Sequence, residues 1–157
     1  MKTNLKLVAA ALLLVVTACD KDKDSSPNPA ASENQLVEKN WQMSAMTISP
    51  AIESEAGPIS DLYAWMPGCS KDDFMRFEKN GTFKGDEGAS KCEDEDPQTT
   101  STGTWTLTDS NKKLTMVEDG ETQTFKVDNL SKDELKLSLQ ETEDGVTYTL
   151  VTTFRKK

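Results

Sequence analysis

Cys69 and Cys92 flank the stretch "GCSKDDFMRFEKNGTFKGDEGASKC" over residues 68–92. Two thiols so placed admit three chemistries: metal ligation, redox cycling or a covalent cross-link. The chain contains no histidine. That removes the usual zinc ligand, the commonest general base and every Ser-His or Cys-His nucleophile. There is also no Cys-x-x-Cys, no Gly-x-Ser-x-Gly and no phosphate-binding glycine loop. An enzyme is therefore not expected, and neither is a cofactor or a resident metal. The other reactive groups are the acids Glu93, Asp94, Glu95 and Asp96, near Asp86 and Glu87, whose oxygens suit calcium. The run lacks the alternating acids and the glycine of a calcium loop, so a solvated acidic loop is the better reading.

The third cysteine, Cys19, closes a segment of a different kind. A short basic stretch from Met1 to Lys6 precedes the apolar run "LVAAALLLVV", residues 7–16, and then "TAC". That run is too short to span a bilayer, which needs about 20 apolar residues. Basic segment, short apolar run and small residues in this order describe a secretory signal peptide over residues 1–18. The four residues Val16-Thr17-Ala18-Cys19 resemble a bacterial lipobox, and that resemblance implies cleavage before Cys19 and lipidation of its sulfur. Residues 19–32 then form a flexible tether, since "DKDKDSSPNPAAS" has no large apolar side chain to bury. A tether of this length reaches roughly 20 Å. The Asp-Lys alternation resembles the export tags of some surface-displayed outer-membrane lipoproteins, and equally suits a plain solvated linker. The expected location is the cell envelope, lipid-anchored to the outer membrane, and at the cell surface where the Asp-Lys run acts as an export tag. The membrane is thus one expected partner, contacted through the lipid.

Without residues 1–18 the chain loses Lys2 and Lys6 and no acid, so its net charge of −9 becomes −11. Such a surface repels phosphate backbones, and nucleic acid is not an expected partner. Residues 33–157 make one domain, large enough for one core and expected to be a monomer. From Trp41 onward period-two stretches alternate with turn signals, the pattern of half-buried strands. Three turns carry glycine in the position that needs positive φ: Lys79-Asn80-Gly81, Glu118-Asp119-Gly120 and Glu143-Asp144-Gly145. Strands are expected near 41–48, 73–79, 82–88, 101–107, 113–118, 121–128, 134–141 and 146–155. In "ELKLSLQ" the leucines Leu135, Leu137 and Leu139 share one face. The same alternation turns Trp105, Leu107, Leu114, Met116, Phe125, Val127, Tyr148 and Leu150 inward. An all-β, eight-stranded antiparallel up-and-down barrel removes both sheet edges and is the simplest architecture, with a two-sheet sandwich next. "SENQLVEK" before the first strand predicts a short N-terminal helix capped by Ser32 that plugs one end.

Over residues 33–157 the chain resembles the lipocalin-like domains of bacterial lipoproteins. The resemblance rests on "QLVEKNW" leading into Trp41, the hairpin "FEKNGTF", the flanking cysteines, "GTWTL" at 103–107 and the last-strand Arg155. It implies a barrel that binds by enclosure. Typical lipocalins have glycine two residues before the first-strand tryptophan. Here Lys39 stands there, which weakens the expectation that Arg155 packs over Trp41.

The hairpin register decides what the thiols can do. A two-residue turn at Asn80-Gly81 would set Cys69 opposite Cys92, but it would also set Phe77 against Lys84 and mix the faces. A three-residue loop pairs Phe77 with Phe83 and Met75 with Gly85, and leaves the cysteines one step out of register. A bulge at Gly85 or Gly88 would restore them. In either register the sulfurs come close, and a chain sent to an oxidising envelope favours a Cys69–Cys92 disulfide over a redox or metal site.

Two places could bind something. The interior is expected to be lined by Met43, Phe77, Phe83, Trp105, Met116, Phe125, Leu137 and Tyr148, apolar as ligand pockets are. These side chains are large and an eight-stranded barrel is narrow, so packed core takes most of the space. The connection over residues 49–68 is long for a compact domain and carries Tyr63, Trp65 and Met66, which are expected to cap the barrel as a lid or plug, or to form a contact patch. The leading reading is a lipid-anchored barrel holding a small apolar molecule. The alternative is a non-enzymatic accessory module that binds protein or glycan through the 49–68 loop and the acidic rim.

Overall fold

The computed structural model describes residues 29–157. The elements in chain order are α1 (Pro29–Leu36), β1 (Asn40–Ile52), β2 (Ile59–Asp61), α2 (Leu62–Trp65), a single 3-10 turn (Cys69–Lys71), β3 (Phe74–Phe77), β4 (Thr82–Asp86), β5 (Thr99–Thr108), β6 (Lys113–Glu118), β7 (Glu121–Leu130), β8 (Glu134–Glu143) and β9 (Val146–Lys156). Successive antiparallel pairings run β1-β3-β4-β5-β6-β7-β8-β9, and β9 returns to β1 from Trp41↔Lys156 to Ser49↔Thr149. Eight strands therefore close into an up-and-down barrel, and β2 adds a short ninth strand to the far half of β1. The sandwich alternative is excluded by the β1–β9 closure.

Local sequence explains the turns. Asp119 and Gly120 both have positive φ between the paired Glu118 and Glu121, as do Asp144 and Gly145 between Glu143 and Val146. These are two-residue turns whose twist matches the strands. The Lys79-Asn80-Gly81 turn differs from them. Glu78 N–H donates to the Thr82 carbonyl at 2.8 Å, so the loop has three residues, and only Gly81 (φ 82°) takes the left-handed conformation. This is the register that pairs Phe77 with Phe83 and Met75 with Gly85.

The hairpin loops alternate between two ends. At the closed end sit α1 and the β3–β4, β5–β6 and β7–β8 loops; at the open end sit the 53–73 connection and the remaining three loops. α1 begins at Pro29, so Ser32 lies inside the helix and is not its N-cap. The helix ends on Leu36, whose carbonyl accepts the indole N–H of the fully buried Trp41 at 2.8 Å. Leu36, Val37, Trp41, Phe77, Phe83, Trp105, Leu114, Met116, Leu135 and Leu137 form the buried core. Phe77 stands edge-on to Trp105, with ring centroids 5.7 Å apart at 82°. The Trp105 indole donates to the Glu78 carbonyl at 3.1 Å and ties β5 to the β3–β4 turn. Burial of so many large apolar groups at one end is what closes it.

The cysteines are bonded, with Cα atoms 5.1 Å apart, but no bulge on β3 or β4 brings them together. The β3–β4 ladder ends regularly at Phe74↔Asp86. Cys69 sits in the 3-10 turn and Cys92 in the β4–β5 loop, so the bond joins two connections beyond the ladder. Asp72 reinforces it: Oδ2 accepts from the backbone N–H of Ala89 at 2.8 Å and of Ser90 at 3.0 Å. The register shift near Gly85 belongs to the opposite edge of β4, against β5.

Candidate functional site

Inside the barrel, Trp41, Met43, Met75, Phe77, Met116, Phe125, Leu135, Leu137, Thr152 and Phe154 surround a cavity of about 130 Å³. Of the residues expected to line the interior, Met43, Phe77, Met116, Phe125 and Leu137 do so. Phe83 and Trp105 are buried in the core and do not face the cavity. Tyr148 lies higher, near Ile48, Ile52 and Glu141 at the open end. Met75, Leu135 and Phe154 were within reach of the alternation argument: each is two residues, or a multiple of two, from an inward neighbour on its strand. Thr152 shares that parity but is polar, and no apolar signal marks it.

The cavity has a wide mouth. β7 pairs with β8 only from Lys126↔Ser138 to Leu130↔Leu135, with a bulge at Asp128. Beyond this ladder β7 stays on β6 through Phe125, Gln123 and Glu121, while β8 stays on β9 through Leu139, Glu141 and Glu143. The two strands part, because a bulge bends and overtwists its strand. The opening between them is walled by Met75, Met116, Glu118, Asp119, Phe125, Leu139 and Glu141 and by the β7 run from Glu121 to Thr124, with Gln140, so residues of both strand faces border it. Met75, Met116 and Phe125 belong to both walls, so the mouth adjoins the inner cavity across these three side chains.

The connection after β1 does not cap this mouth. β1 continues through Pro50 to Ile52, and its outer edge, left free where β3 diverges, is taken by β2. That pairing pins the segment against the wall. Tyr63, Trp65 and Met66 line neither the inner cavity nor the mouth. Tyr63 is covered by the Lys71 ammonium, 5.0 Å from its ring centre. Trp65 is 65 % exposed. The lid or plug expectation is corrected accordingly, and the contact-patch alternative is the one compatible with an exposed Trp65.

Electrostatics separate the two ends. At the closed end the Lys39 ammonium stands 5.5 Å from the Trp41 ring centre and donates to the Gln35 carbonyl at 2.5 Å, while Arg155 pairs with Glu134 at 2.7 Å. Lys39, not Arg155, covers Trp41. Burial, with Lys156 nearby, lowers the Lys39 ammonium below its ordinary range. At the open end Asp73 is pushed up, first by burial and then by Glu87, Asp72 and Asp86, and its Oδ1 is enclosed without a hydrogen-bond partner. Its neighbour Asp72 is held low by the Ala89 N–H bond. The run Glu93 to Asp96 folds on itself, with Glu93 N–H donating to Asp96 Oδ2 at 3.1 Å. Among the described residues no group of three or more His, Cys, Asp or Glu side chains is placed to hold a metal ion. Cys19, the signal segment and most of the tether lie outside the described residues.

A family model described as a lipocalin-like domain matches residues 37–137, more than half of the chain. A lipocalin-like protein from Bacteroides uniformis ATCC 8492 is similar in structure, at 18% identity and a TM-score of 0.47, covering 78% of this chain and 99% of that one. Bovine odorant binding protein, solved with a selenium-containing odorant, is similar at 17% identity and a TM-score of 0.40, covering 78% and 71%. No curated protein matches the chain.

Proposed function

The chain belongs to the lipocalin-like domain family, and from that premise we propose that it is a non-catalytic envelope protein that encloses a small apolar molecule in its barrel. The observation that carries this reading is the apolar cavity of about 130 Å³ that adjoins the opening between the parted β7 and β8. A dry engineered cavity of about 150 Å³ holds a benzene molecule, so the space fits one ring or a short alkyl chain. Burial alone would hold such a guest. The signal segment and Cys19 support tethering of a monomer to the outer membrane through lipid; Cys19→Ala should release the protein from membranes, and continued attachment would defeat that part of the reading.

The test of enclosure uses methionine methyl NMR on the full chain with toluene as probe. The methyls of Met43, Met75 and Met116 should shift in a saturable way while Met66 stays still. No shift at saturating toluene would overturn the reading. Exposed Trp65 favours a second reading, in which the 49–68 segment contacts a protein or glycan. Trp65→Ala should abolish that contact without altering toluene binding.

A further inference from the structure

The mouth differs chemically from the chamber beneath it. On the face that is apolar along most of each strand, the positions nearest the opening are acids. Glu118 lies two residues past Met116 and pairs with Glu121, which lies two before Gln123, itself paired with Met116. Glu141 lies two past Leu139 and pairs with Tyr148. All three glutamates, with Asp119, line the opening. An acid on the outer face of an acidic protein carries no information. Three at positions of inward parity, Glu118 half-buried and Glu121 and Glu141 exposed at the rim, break the alternation that built the core below them.

No lysine or arginine lines the inner cavity or its mouth. Three lysines line the adjoining crevice, which shares Thr124, Phe125, Leu139 and Gln140 with the mouth: Lys113 pairs with Asp109 at 3.2 Å, Lys126 pairs with Asp128 at 2.5 Å, and Lys112 lies beside them. The mouth therefore presents carboxylates with no cation among its own walls, directly above an apolar chamber. A carboxylate guest would be repelled there, and a neutral guest would gain nothing from the charge.

Resting on the enclosure reading above, we infer that the site selects apolar molecules that carry a protonated amine. The apolar body enters between Met75, Met116 and Phe125, and the ammonium stays in the mouth among Glu118, Glu121 and Glu141. The small chamber limits the body to about one aromatic ring, so the fitting chemistry is a short aralkyl or alkyl amine. The chamber supplies affinity by burial, and the glutamates supply discrimination by charge.

The experiment compares phenethylamine, 2-phenylethanol and phenylacetate on the full chain at pH 7 and low salt, read by the Met43, Met75 and Met116 methyls. The ammonium should bind about tenfold tighter than the alcohol, as a few partly exposed ion pairs allow, with the anion weakest. The preference should shrink as salt is raised, and it should vanish in Glu118→Gln/Glu121→Gln/Glu141→Gln. Salt dependence in the unaltered chain keeps the test valid even if the triple variant folds poorly. Equal binding of amine and alcohol, or a preference insensitive to salt, would overturn the inference and leave the enclosure reading standing. Failure of all three probes to bind would overturn both.

Discussion

Reducing the Cys69–Cys92 bond should lower the stability of the whole barrel, not just loosen its mouth. The bond closes a loop with a sequence separation of 23 that contains all of β3 and β4. Its chain-entropy contribution, acting on the unfolded chain, is about 3 kcal/mol at 25 °C. A domain of this size has an unfolding entropy of roughly 0.25 kcal/mol per degree, so Tm should fall by about 12 °C. The native loop has a second restraint, because Asp72 Oδ2 holds the Ala89 and Ser90 amides whether or not the sulfurs are joined. Those two amides should therefore keep their protection from hydrogen exchange after reduction, well below Tm. The assay is a thermal melt by circular dichroism with and without reductant, alongside Cys69→Ser/Cys92→Ser to separate the bond from the reagent. A fall in Tm of less than about 3 °C, with loss of protection at Ala89 and Ser90, would refute the reasoning. It would show a local latch in place of a constraint on the unfolded chain.

Four further substitutions probe the frame. In Gly103→Ala the new Cβ would lie 2.1 Å from the Val117 carbonyl oxygen and 2.6 Å from Phe83 Cε1, so a loss of about 3 kcal/mol is expected in urea unfolding; an unchanged midpoint would contradict that packing. Asp73→Asn should stabilise the protein at pH 7. Its carboxyl is pushed up in the folded state, so its cost is present above that raised value and vanishes below the unfolded value near ~3.9; a variant gain at pH 7 that persists undiminished at pH 3 would argue against it. Asp72→Asn should act in the opposite sense, since its lowered carboxyl contributes stability that is present above the unfolded value and lost as pH falls through the folded one. Trp41→Phe removes the donor to the buried Leu36 carbonyl and should cost about 2 kcal/mol, with faster exchange at the Val37 and Glu38 amides as the sign that α1 has been released.

The barrel was legible wherever side-chain alternation and turn chemistry agree. "ELKLSLQ" and the two Asp-Gly turns define β8 and its neighbours to within a residue or two of their ends. The pairing of Phe77 with Phe83 followed from keeping both rings on one face, and the ladder has that register. Bulges were not legible. Ser44 and Asp128 each interrupt the pairing of their strands, and no residue type marks them. The β1 extension was hidden by Pro50, which usually ends a strand but is tolerated at a rim where few ladder bonds are needed. Once β1 runs on, its free edge recruits β2, and the apparent long loop becomes part of the wall. The disulfide was legible as chemistry and not as geometry, because its cysteines stand in irregular segments whose path depends on tertiary contacts such as the Asp72 bonds. The interior was read partly wrongly for a related reason. Apolar type identifies what is buried, but only the packing of α1 and of the Trp105 ring decides which buried residues remain free to face a cavity.

Departures from local rules occur at both ends, and they differ in kind. At the closed end capping, aromatic packing and hydrogen bonding support each other: Trp41 to Leu36, Trp105 to Glu78, and Lys39 over Trp41. At the open end a ladder stops short, three glutamates take positions of inward parity at the rim, and half-buried Asp73 stands near other acids with one oxygen unpartnered. At the closed end Glu38, Asp109, Ser110 and Asn111 take positive φ, and the Asn111 side-chain nitrogen is enclosed without a hydrogen-bond partner. Sequences that otherwise agree with their fold keep such conflicts where function needs them. The departures at the closed end are backbone turns beside a packed core, whereas those at the open end are a shortened ladder and rim carboxylates, which is the arrangement the proposed enclosure of an amine would need at its mouth.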